Sequence, residues 1–165
     1  MRSTSEGSKE PEKLIAVVPN PLMKGGSGLL ELVLELIGRR PEARIGRCIV
    51  IDGSMDALSL IDEASGKGIK DIVIFGAVHS EDRSRGVYTR IVKPRDATAM
   101  SPQQLTKELW MNLTGSLGLD DYAAALSLLW SRAFILAECD PGDSEDPEEA
   151  CKKLAREWIR RECET

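Results

Sequence analysis

Short apolar runs alternate with longer amphipathic segments along this chain, and glycine, proline and charged residues separate them. Their length and periodicity predict five strands, at residues 14–18, 47–52, 71–78, 87–93 and 132–138. The intervening patterns predict helices, at residues 29–37, 55–64, 100–115, 119–130 and from residue 146 onward. Strands that alternate with helices are typical of a three-layer α/β/α domain with a largely parallel central sheet.

The segment from Leu14 to Ile37 forms the first strand–turn–helix unit of this pattern. Its strand ends at Pro19-Asn20, and the glycine-rich turn Lys24–Gly28 leads into an apolar helix. Ligands of such sheets bind beyond the carboxyl ends of the strands, so we expect the candidate site at this edge. The turn follows neither the Walker nor the dinucleotide-binding glycine pattern. It is either a plain structural turn or a cradle for an anion at the helix N-terminus.

Length and charge narrow the possible classes of protein. The chain has 165 residues, which fits a single α/β domain at residues 13–165 after a polar, disordered arm at residues 1–12. The net charge of −5 argues against nucleic-acid binding, which needs a basic face. The arm lacks the apolar centre of a secretory signal, and no apolar run spans a bilayer. We therefore expect a cytoplasmic protein that has no membrane contact.

Four cysteines are spread along the chain, at Cys48, Cys139, Cys151 and Cys163. None forms a C-x-x-C pair, so zinc binding is not expected, and we interpret the cysteines as separate thiols. Cys151 and Cys163 fall on one predicted helix, about 120° apart around its axis, so they cannot bond to each other there.

Four stretches in order along the chain, together covering about residues 13–142, resemble the endopeptidases that mature nickel–iron hydrogenases. They are VPNPLMKGGSGLL at residues 18–30, VIDGSMDALSLI at 50–61, IVIFGAVHS at 72–80 with GVY at 86–88, and SLGLDDYAAALSLL at 116–129. This resemblance implies the same α/β fold. It also implies a cleft whose carboxylates and histidine recognise nickel, and cleavage of a hydrogenase large subunit at its C-terminal tail.

The two carboxylates of that family are absent from this sequence. The first aligns with Gly26, and Gly25 replaces the acid beside it. The second aligns with Gly76 in the third predicted strand. Glycine offers no side-chain oxygen, and a divalent metal needs carboxylate or imidazole ligands at fixed positions.

The family histidine has no counterpart either. It aligns with Gln103 if SPQQL is matched to the family's S-P-H-Q-L, or with Gly115 if Leu117-Gly118-Leu119 is the anchor. The second alignment makes residues 94–113 an insertion and fits the spacing to the last strand better. Nickel binding is therefore not expected, and no cofactor is predicted.

Three functions remain open. The first is a catalytically inactive relative that binds a hydrogenase-like large subunit, or its C-terminal tail, as an assembly factor. The second is a divergent metal-dependent endopeptidase with a site rebuilt from Asp52, Asp56, His79 and Glu138. The third is a small-anion-binding protein that uses the glycine-rich turn, where Lys24 adds positive charge and unpaired helix amides would point at the ligand.

The candidate site residues follow from these alternatives. Asp52 and His79 are the candidates for a catalytic role, and a solvated loop residue is the alternative for His79. The predicted ligand-binding cleft comprises Asn20, Lys24, Gly25, Gly26, Ser27, Gly28, Asp52, Gly76 and His79. Asp56 is expected to start a helix, and Glu138 and Asp140 are expected to serve the end of the last strand.

Overall fold

The computed structural model describes residues 10–107 and 119–164, and the structural statements below concern these residues. The strands are β1 Lys13–Val18, β2 Ala43–Ile45, β3 Cys48–Asp52, β4 Asp71–Ala77, β5 Gly86–Val92 and β6 Phe134–Asp140. The helices are α1 Gly26–Leu36, α2 Ala57–Gly66, α3 Leu119–Leu129 and α4 Pro147–Glu164. A 3₁₀ turn covers Ala97–Ala99, and residues 102–107 are helical.

The strands form one sheet in the order β2-β3-β1-β4-β6-β5. The four central strands are parallel, whereas the edge strands β2 and β5 run antiparallel to their neighbours. A buried parallel sheet needs apolar residues on both faces, and the sequence supplies them as continuous apolar runs in β1, β3 and β4. The predicted largely parallel α/β fold is confirmed.

Each face of the sheet carries its own hydrophobic core. Side chains alternate along β1, so Ile15 and Val17 pack beneath α1 and α4, whereas Leu14 and Ala16 pack beneath α2 and α3. The C-terminal helix contributes an apolar stripe to the core beneath it, including Ala155. The three layers are therefore helix pair, sheet and helix pair.

Side chains cap three helix starts, including the start predicted at Asp56. The side chains of Asp56, Ser101 and Asp146 each accept a hydrogen bond from the backbone amide three residues later. After α1, Gly38 adopts a left-handed conformation with φ 64°, which favours glycine and ends the helix.

Two elements differ from the sequence prediction. The strand β2 is missed, because three residues at a sheet edge leave no periodic pattern. The last strand extends past Glu138 to Asp140, since β4 and β5 pair with it on either side. The acidic residues at its end therefore lie within a buried strand rather than in a turn.

The interpretation of the cysteines as separate thiols is wrong. Cys48 in β3 is bonded to Cys163 in α4, and Cys139 in β6 is bonded to Cys151 in α4. Tertiary packing brings the Cα atoms of the two pairs to 5.4 and 5.8 Å, although 115 and 12 residues separate them along the chain. Both bonds attach the C-terminal helix to the sheet. As expected, Cys151 and Cys163 do not bond to each other.

Two predictions concern segments that the structure covers only in part. The disordered arm at residues 1–12 lies mostly outside the described residues, as does the part of the 100–115 helix after residue 107. Within residues 10–107 and 119–164, no helix is long and apolar enough to cross a membrane.

Candidate functional site at the carboxyl edge of the sheet

The carboxyl ends of the parallel strands place several predicted site residues at one edge. Asp52 ends β3 and pairs in register with Val17 of β1, and Val18 pairs with Gly76 of β4. His79 follows β4 by two residues. In the sheet, β3 lies on one side of β1 and β4 lies on the other. In α/β sheets a crevice forms where the connections between strands lead to opposite sides in this way.

The glycine-rich turn is already occupied by an acid of the chain itself. The backbone amides of Gly25 and Gly28 donate hydrogen bonds of 2.9 Å to the two carboxylate oxygens of Glu148, in the first turn of α4. The expectation of unpaired amides at this turn is therefore wrong for these two groups. The helix N-terminus does attract a negative charge, as its dipole predicts, but that charge comes from α4.

Close backbone packing explains why this turn consists of glycine. Gly25 has φ 89°, and a Cβ atom there would meet the Cys151 sulfur. A Cβ atom on Gly26 would overlap the backbone oxygen of Asn20, and one on Gly28 would overlap that of Glu148. All three glycines are buried. Gly25 and Gly28 therefore support the packing of α1 against α4, whereas Gly26 packs against the loop that follows β1.

The remaining residues of the turn region are accessible. Lys24 is exposed, and Ser27 is half-buried. Asn20 is also half-buried, and its side chain accepts a hydrogen bond of 3.0 Å from the Leu22 amide. These side chains are the part of the predicted cleft that a ligand could reach on this side of β1.

A leucine packs against Gly76, the residue that the resemblance aligns with the second family carboxylate. Gly76 faces the α2/α3 side of the sheet, and a Cβ atom there would come within 2.8 Å of both terminal carbons of Leu119. Leu119 is the first residue of α3 and is 6% exposed. The space in which a side chain at residue 76 would project is therefore hydrophobic and already packed.

Replacing Gly76 by alanine should lower the free energy of unfolding by about 1–3 kcal/mol, the usual cost of overpacking a core. The Leu119→Ala variant should lose about 2–5 kcal/mol through the cavity that it leaves. The new methyl group would enter that cavity in the double variant. Its loss in the free energy of unfolding should therefore be about 1 kcal/mol smaller than the sum of the two single losses. Urea unfolding of the four proteins measures this coupling, and strict additivity would contradict the contact.

Two of the predicted acids have local structural partners. Asp52 accepts a hydrogen bond of 2.9 Å from the Ser54 amide, which closes a tight turn after β3. Asp56 accepts bonds of 2.8 and 3.1 Å from the amide and hydroxyl of Ser59, as the N-cap of α2. Both side chains are half-buried, so each carboxylate retains an accessible side.

A fully buried carboxylate orients His79. Asp140 is 0% exposed, and its oxygens accept hydrogen bonds from the Ser80 and Gly142 amides at 3.0 and 2.9 Å. The Nδ1 atom of His79 lies 3.3 Å from the Asp140 carboxylate. Donation from Nδ1 would leave Nε2 as an acceptor on the half-buried ring. His79 is therefore a held side chain and not a solvated loop residue.

Glu138 is committed to a separate ion pair. Its carboxylate accepts a hydrogen bond of 3.0 Å from Arg83, whose guanidinium also lies 4.6 Å from the centre of the Tyr88 ring. Glu138 is 6% exposed, so this pair neutralises a buried charge. The pair closes the end of the sheet where β5 meets β6.

Replacing Asp140 by asparagine should lower the free energy of unfolding by about 2–3 kcal/mol. The amide group of asparagine would face backbone N–H donors on one side, and a buried donor left unsatisfied costs this much. His79→Ala removes only a half-buried ring, so we expect a loss of about 1 kcal/mol or less. Thermal and urea unfolding compare the two variants. If both variants lost the same free energy of unfolding, the contact with His79, and not the two backbone amides, would be what stabilises the buried Asp140 carboxylate.

The described residues do not fit the nickel centre that the resemblance implies. Gly26 and Gly76 have no room for a side chain, and Gln103 is exposed on the helical segment at residues 102–107. Gly115, the other aligned position, lies outside the described residues. Among residues 10–107 and 119–164, no three acidic, histidine or cysteine side chains come together as metal ligands. Asp52, Asp56, His79 and Glu138 therefore do not meet there as a set of metal ligands.

Sequence reasoning missed two residues that shape this edge. Glu148 caps the first helix from 120 residues away, and its helix-start pattern indicated only a role within α4. Leu119 fills the space at Gly76, although the sequence indicated it only as the first residue of a predicted helix. Contacts so distant along the chain leave no mark in local periodicity.

Comparison with known proteins supports the fold. No protein-family model matches the chain, and no curated protein matches it. Among solved structures, the nickel–iron hydrogenase maturation protease HycI from Thermococcus kodakarensis KOD1 is similar over 100% of both chains, with a TM-score of 0.51 and 16% identity. The chain therefore has the α/β fold of a hydrogenase maturation protease.

Two further structures resemble the chain at lower scores. The hydrogenase 2 maturation peptidase from Thaumarchaeota archaeon SCGC_AB-539-E09 is 16% identical, with a TM-score of 0.47 over 93% of this chain and 99% of its own. A protein with unknown function from Thermoplasma acidophilum is 13% identical, with a TM-score of 0.48 over 98% of this chain and 82% of its own.

Proposed function

We propose that this protein is a catalytically inactive relative of the hydrogenase maturation proteases. It would bind a hydrogenase-like large subunit, or the C-terminal tail of one, and act as an assembly factor. The proposed binding surface is the carboxyl edge of the sheet, where Asn20, Asp52 and His79 remain accessible.

The occupied space at Gly76 carries this proposal. A family carboxylate at this residue would have to displace the side chain of Leu119, and one at Gly26 would have to displace the backbone of Asn20. Restoring a metal ligand would therefore require the surroundings of both glycines to change, and not only the ligand itself. A scaffold that has repacked around the lost ligands can still present a surface for binding.

Association with a precursor tests this proposal directly. The purified chain would be mixed with a hydrogenase large subunit that retains its C-terminal tail, and with the same subunit truncated before the tail. We expect a complex with the first, weakened by truncation and by Asp52→Lys at the edge. Asp62→Lys, on the exposed side of α2, is the matched control and should bind normally. If neither subunit is bound at any ionic strength, the proposed partner is wrong.

The same mixture tests the alternative of a divergent peptidase. Mass spectrometry of the precursor, after incubation with nickel, zinc or manganese, should show an intact tail. Cleavage that depends on His79 or Asp52 would establish enzyme activity and overturn the proposal of an inactive protein. The separate ion pair of Glu138 and the capping role of Asp56 argue against that outcome.

The cytoplasmic location remains part of the proposal, and the two disulfide bonds bear on it. Intracellular disulfides persist mainly in the proteins of hyperthermophilic archaea and bacteria, since most cytoplasms keep thiols reduced. Thiol alkylation in intact cells, followed by fractionation, would test both the compartment and the pairing. Recovery from an external fraction would contradict the proposed location.

A further inference from the structure

The two edges of the central sheet differ in length. The edge strand β2 has three residues, whereas β5, at the other edge, has seven. All seven residues of β5 pair in continuous register with β6, without a bulge. On the outer side of β5, no backbone group of residues 10–107 or 119–164 forms a hydrogen bond with the strand. Alternate residues of β5 therefore direct unpaired N–H and C=O groups away from the sheet.

The strand β5 lacks the features that usually protect a sheet edge. Native proteins block such edges with proline, a bulge, free charged side chains or a covering segment. The sequence of β5, GVYTRIV, contains no proline, and its one charged residue is Arg90. That guanidinium lies 3.4 Å from the carboxylate of Asp120, so its charge is already paired. Little on this edge would repel a further strand.

Apolar surface adjoins the same edge. Side chains alternate along a strand, so Val87, Thr89 and Ile91 share the face of the sheet that α4 covers. Val87 packs against the core on that face, but Thr89 is exposed and Ile91 is 69% exposed. A strand added beside β5 would remove part of this apolar surface from water, which stabilises the association.

The sequence of β5 is complementary to itself in one register. When two copies of β5 pair antiparallel about a two-fold axis, all seven residues find partners only if Thr89 lies at the axis. Thr89 then lies opposite Thr89 of the second copy. On the same face, Ile91 lies opposite Val87 of the second copy. On the other face, Arg90 lies opposite Tyr88 of the second copy.

The side-chain pairs in this register are compatible, because apolar residues meet each other and no like charges are opposed. Moving the axis to Arg90 would place two guanidinium groups opposite each other. It would also leave two residues of each strand without a partner. The charge and apolar pattern of β5 thus selects the register centred on Thr89.

We propose that β5 is the interface of a symmetric dimer, in which a second copy of this chain adds its β5 antiparallel to the first. The two-fold axis stands perpendicular to the sheet at Thr89, so the two six-stranded sheets become continuous. Backbone hydrogen bonds supply the affinity, and the cross-strand side chains fix the register. This interface does not depend on the function proposed for the carboxyl edge.

Sedimentation velocity of the intact protein tests the dimer. A stable interface buries about 1,200–2,000 Å², and two paired strands bury less, so we expect a dimer that forms with rising concentration. Thr89→Lys would place two ammonium groups opposite each other and should raise the dissociation constant about fivefold or more. Ser65→Lys, on the exposed side of α2, is the control and should dimerise normally. A parent protein that stays monomeric at its highest soluble concentration would overturn the proposal, as would unchanged dimerisation of Thr89→Lys.

A charge exchange at the two-fold axis tests the register. Thr89→Glu should weaken dimerisation as Thr89→Lys does, because residue 89 faces its own copy. A mixture of the two variants should instead form a heterodimer that is tighter than either homodimer, since opposite charges then meet. Added sodium chloride should weaken this rescue. No gain in the mixture would refute the register, and assemblies larger than a dimer would refute the closed symmetry.

Ile91→Ser tests the apolar contribution to the interface. Each dimer contains two pairs of Ile91 with Val87, so the dissociation constant should rise about three- to tenfold. Unfolding of the monomer should change little, because most of this side chain is exposed. Leu58→Ser removes a similarly exposed side chain from α2 and should leave dimerisation unchanged. Equal dimerisation by both variants would show that Ile91 lies outside the interface.

Amide hydrogen exchange locates the interface in the unmodified protein. Exchange in β5 should slow as the protein concentration rises, because the outward N–H groups gain acceptors in the second copy. The shorter edge strand β2 serves as the internal control, and its exchange should not depend on concentration. Slowing in β2 or on the helices, with none in β5, would place the contact elsewhere and overturn the proposal.

Discussion

Replacing Cys48 and Cys163 together by alanine should lower the free energy of unfolding by about 4–5 kcal/mol. This disulfide spans 115 residues, and the entropy that a cross-link removes from the unfolded chain grows with the length of the closed loop. The same replacement of Cys139 and Cys151, which are 12 residues apart, should cost about 3 kcal/mol. Urea unfolding under non-reducing conditions measures both losses.

The pairing itself is checked by mass spectrometry. After free thiols are blocked without reduction, digestion should yield peptides linked through Cys48 and Cys163 and through Cys139 and Cys151. Four blocked thiols, or a linkage between Cys151 and Cys163, would contradict the structure. If both double variants lost equal stability, the length of the closed loop would not govern their effect.

Replacing Glu148 by alanine should lower the free energy of unfolding by about 2–3 kcal/mol. The carboxylate accepts two hydrogen bonds at the N-terminus of α1, and bonds to a charged group contribute more than neutral ones. Its loss would leave the buried amides of Gly25 and Gly28 without their acceptor. The neighbouring Glu149 is exposed, so Glu149→Ala is a matched control that should change stability by about 0.5 kcal/mol or less.

The Glu148→Ala variant also tests the anion preference of the turn. Removing the internal carboxylate should allow phosphate to stabilise the variant, since the freed amides and the exposed Lys24 would bind it. Thermal unfolding with rising phosphate should show this for the variant and not for the parent protein. The effect should weaken with added sodium chloride, which screens the charges. Equal stabilisation of both proteins would mean that phosphate acts elsewhere.

The candidate site shows where local reasoning succeeds. The carboxyl edge was predicted from the order of strands and helices, and the helix cap at Asp56 from its residue type alone. The resemblance aligns Gly26 and Gly76 with acids, and the structure leaves no room for a side chain at either residue. The cap at Asp56 depends only on a short stretch of sequence, whereas the packing around Gly76 does not.

The sequence could not show what surrounds these glycines. Leu119 lies 43 residues beyond Gly76, and Glu148 lies 120 residues beyond Gly28. Their contacts arise only when α3 and α4 pack on opposite faces of the sheet. The unpartnered hydroxyl of Tyr122 is hidden in the same way, because tyrosine at core spacing predicts burial but not whether its oxygen finds a donor or an acceptor.

By itself, the sequence determined the layer order of this protein and its principal strands and helices. These features depend on hydrophobic periodicity and residue type, which act over a few turns of chain. Only the tertiary structure decided the cysteine pairing, the acid that occupies the glycine-rich turn, and the leucine that fills the space at Gly76. Each depends on the packing of residues distant in the chain, since a disulfide, a capping carboxylate and a core contact all require the three layers to assemble first.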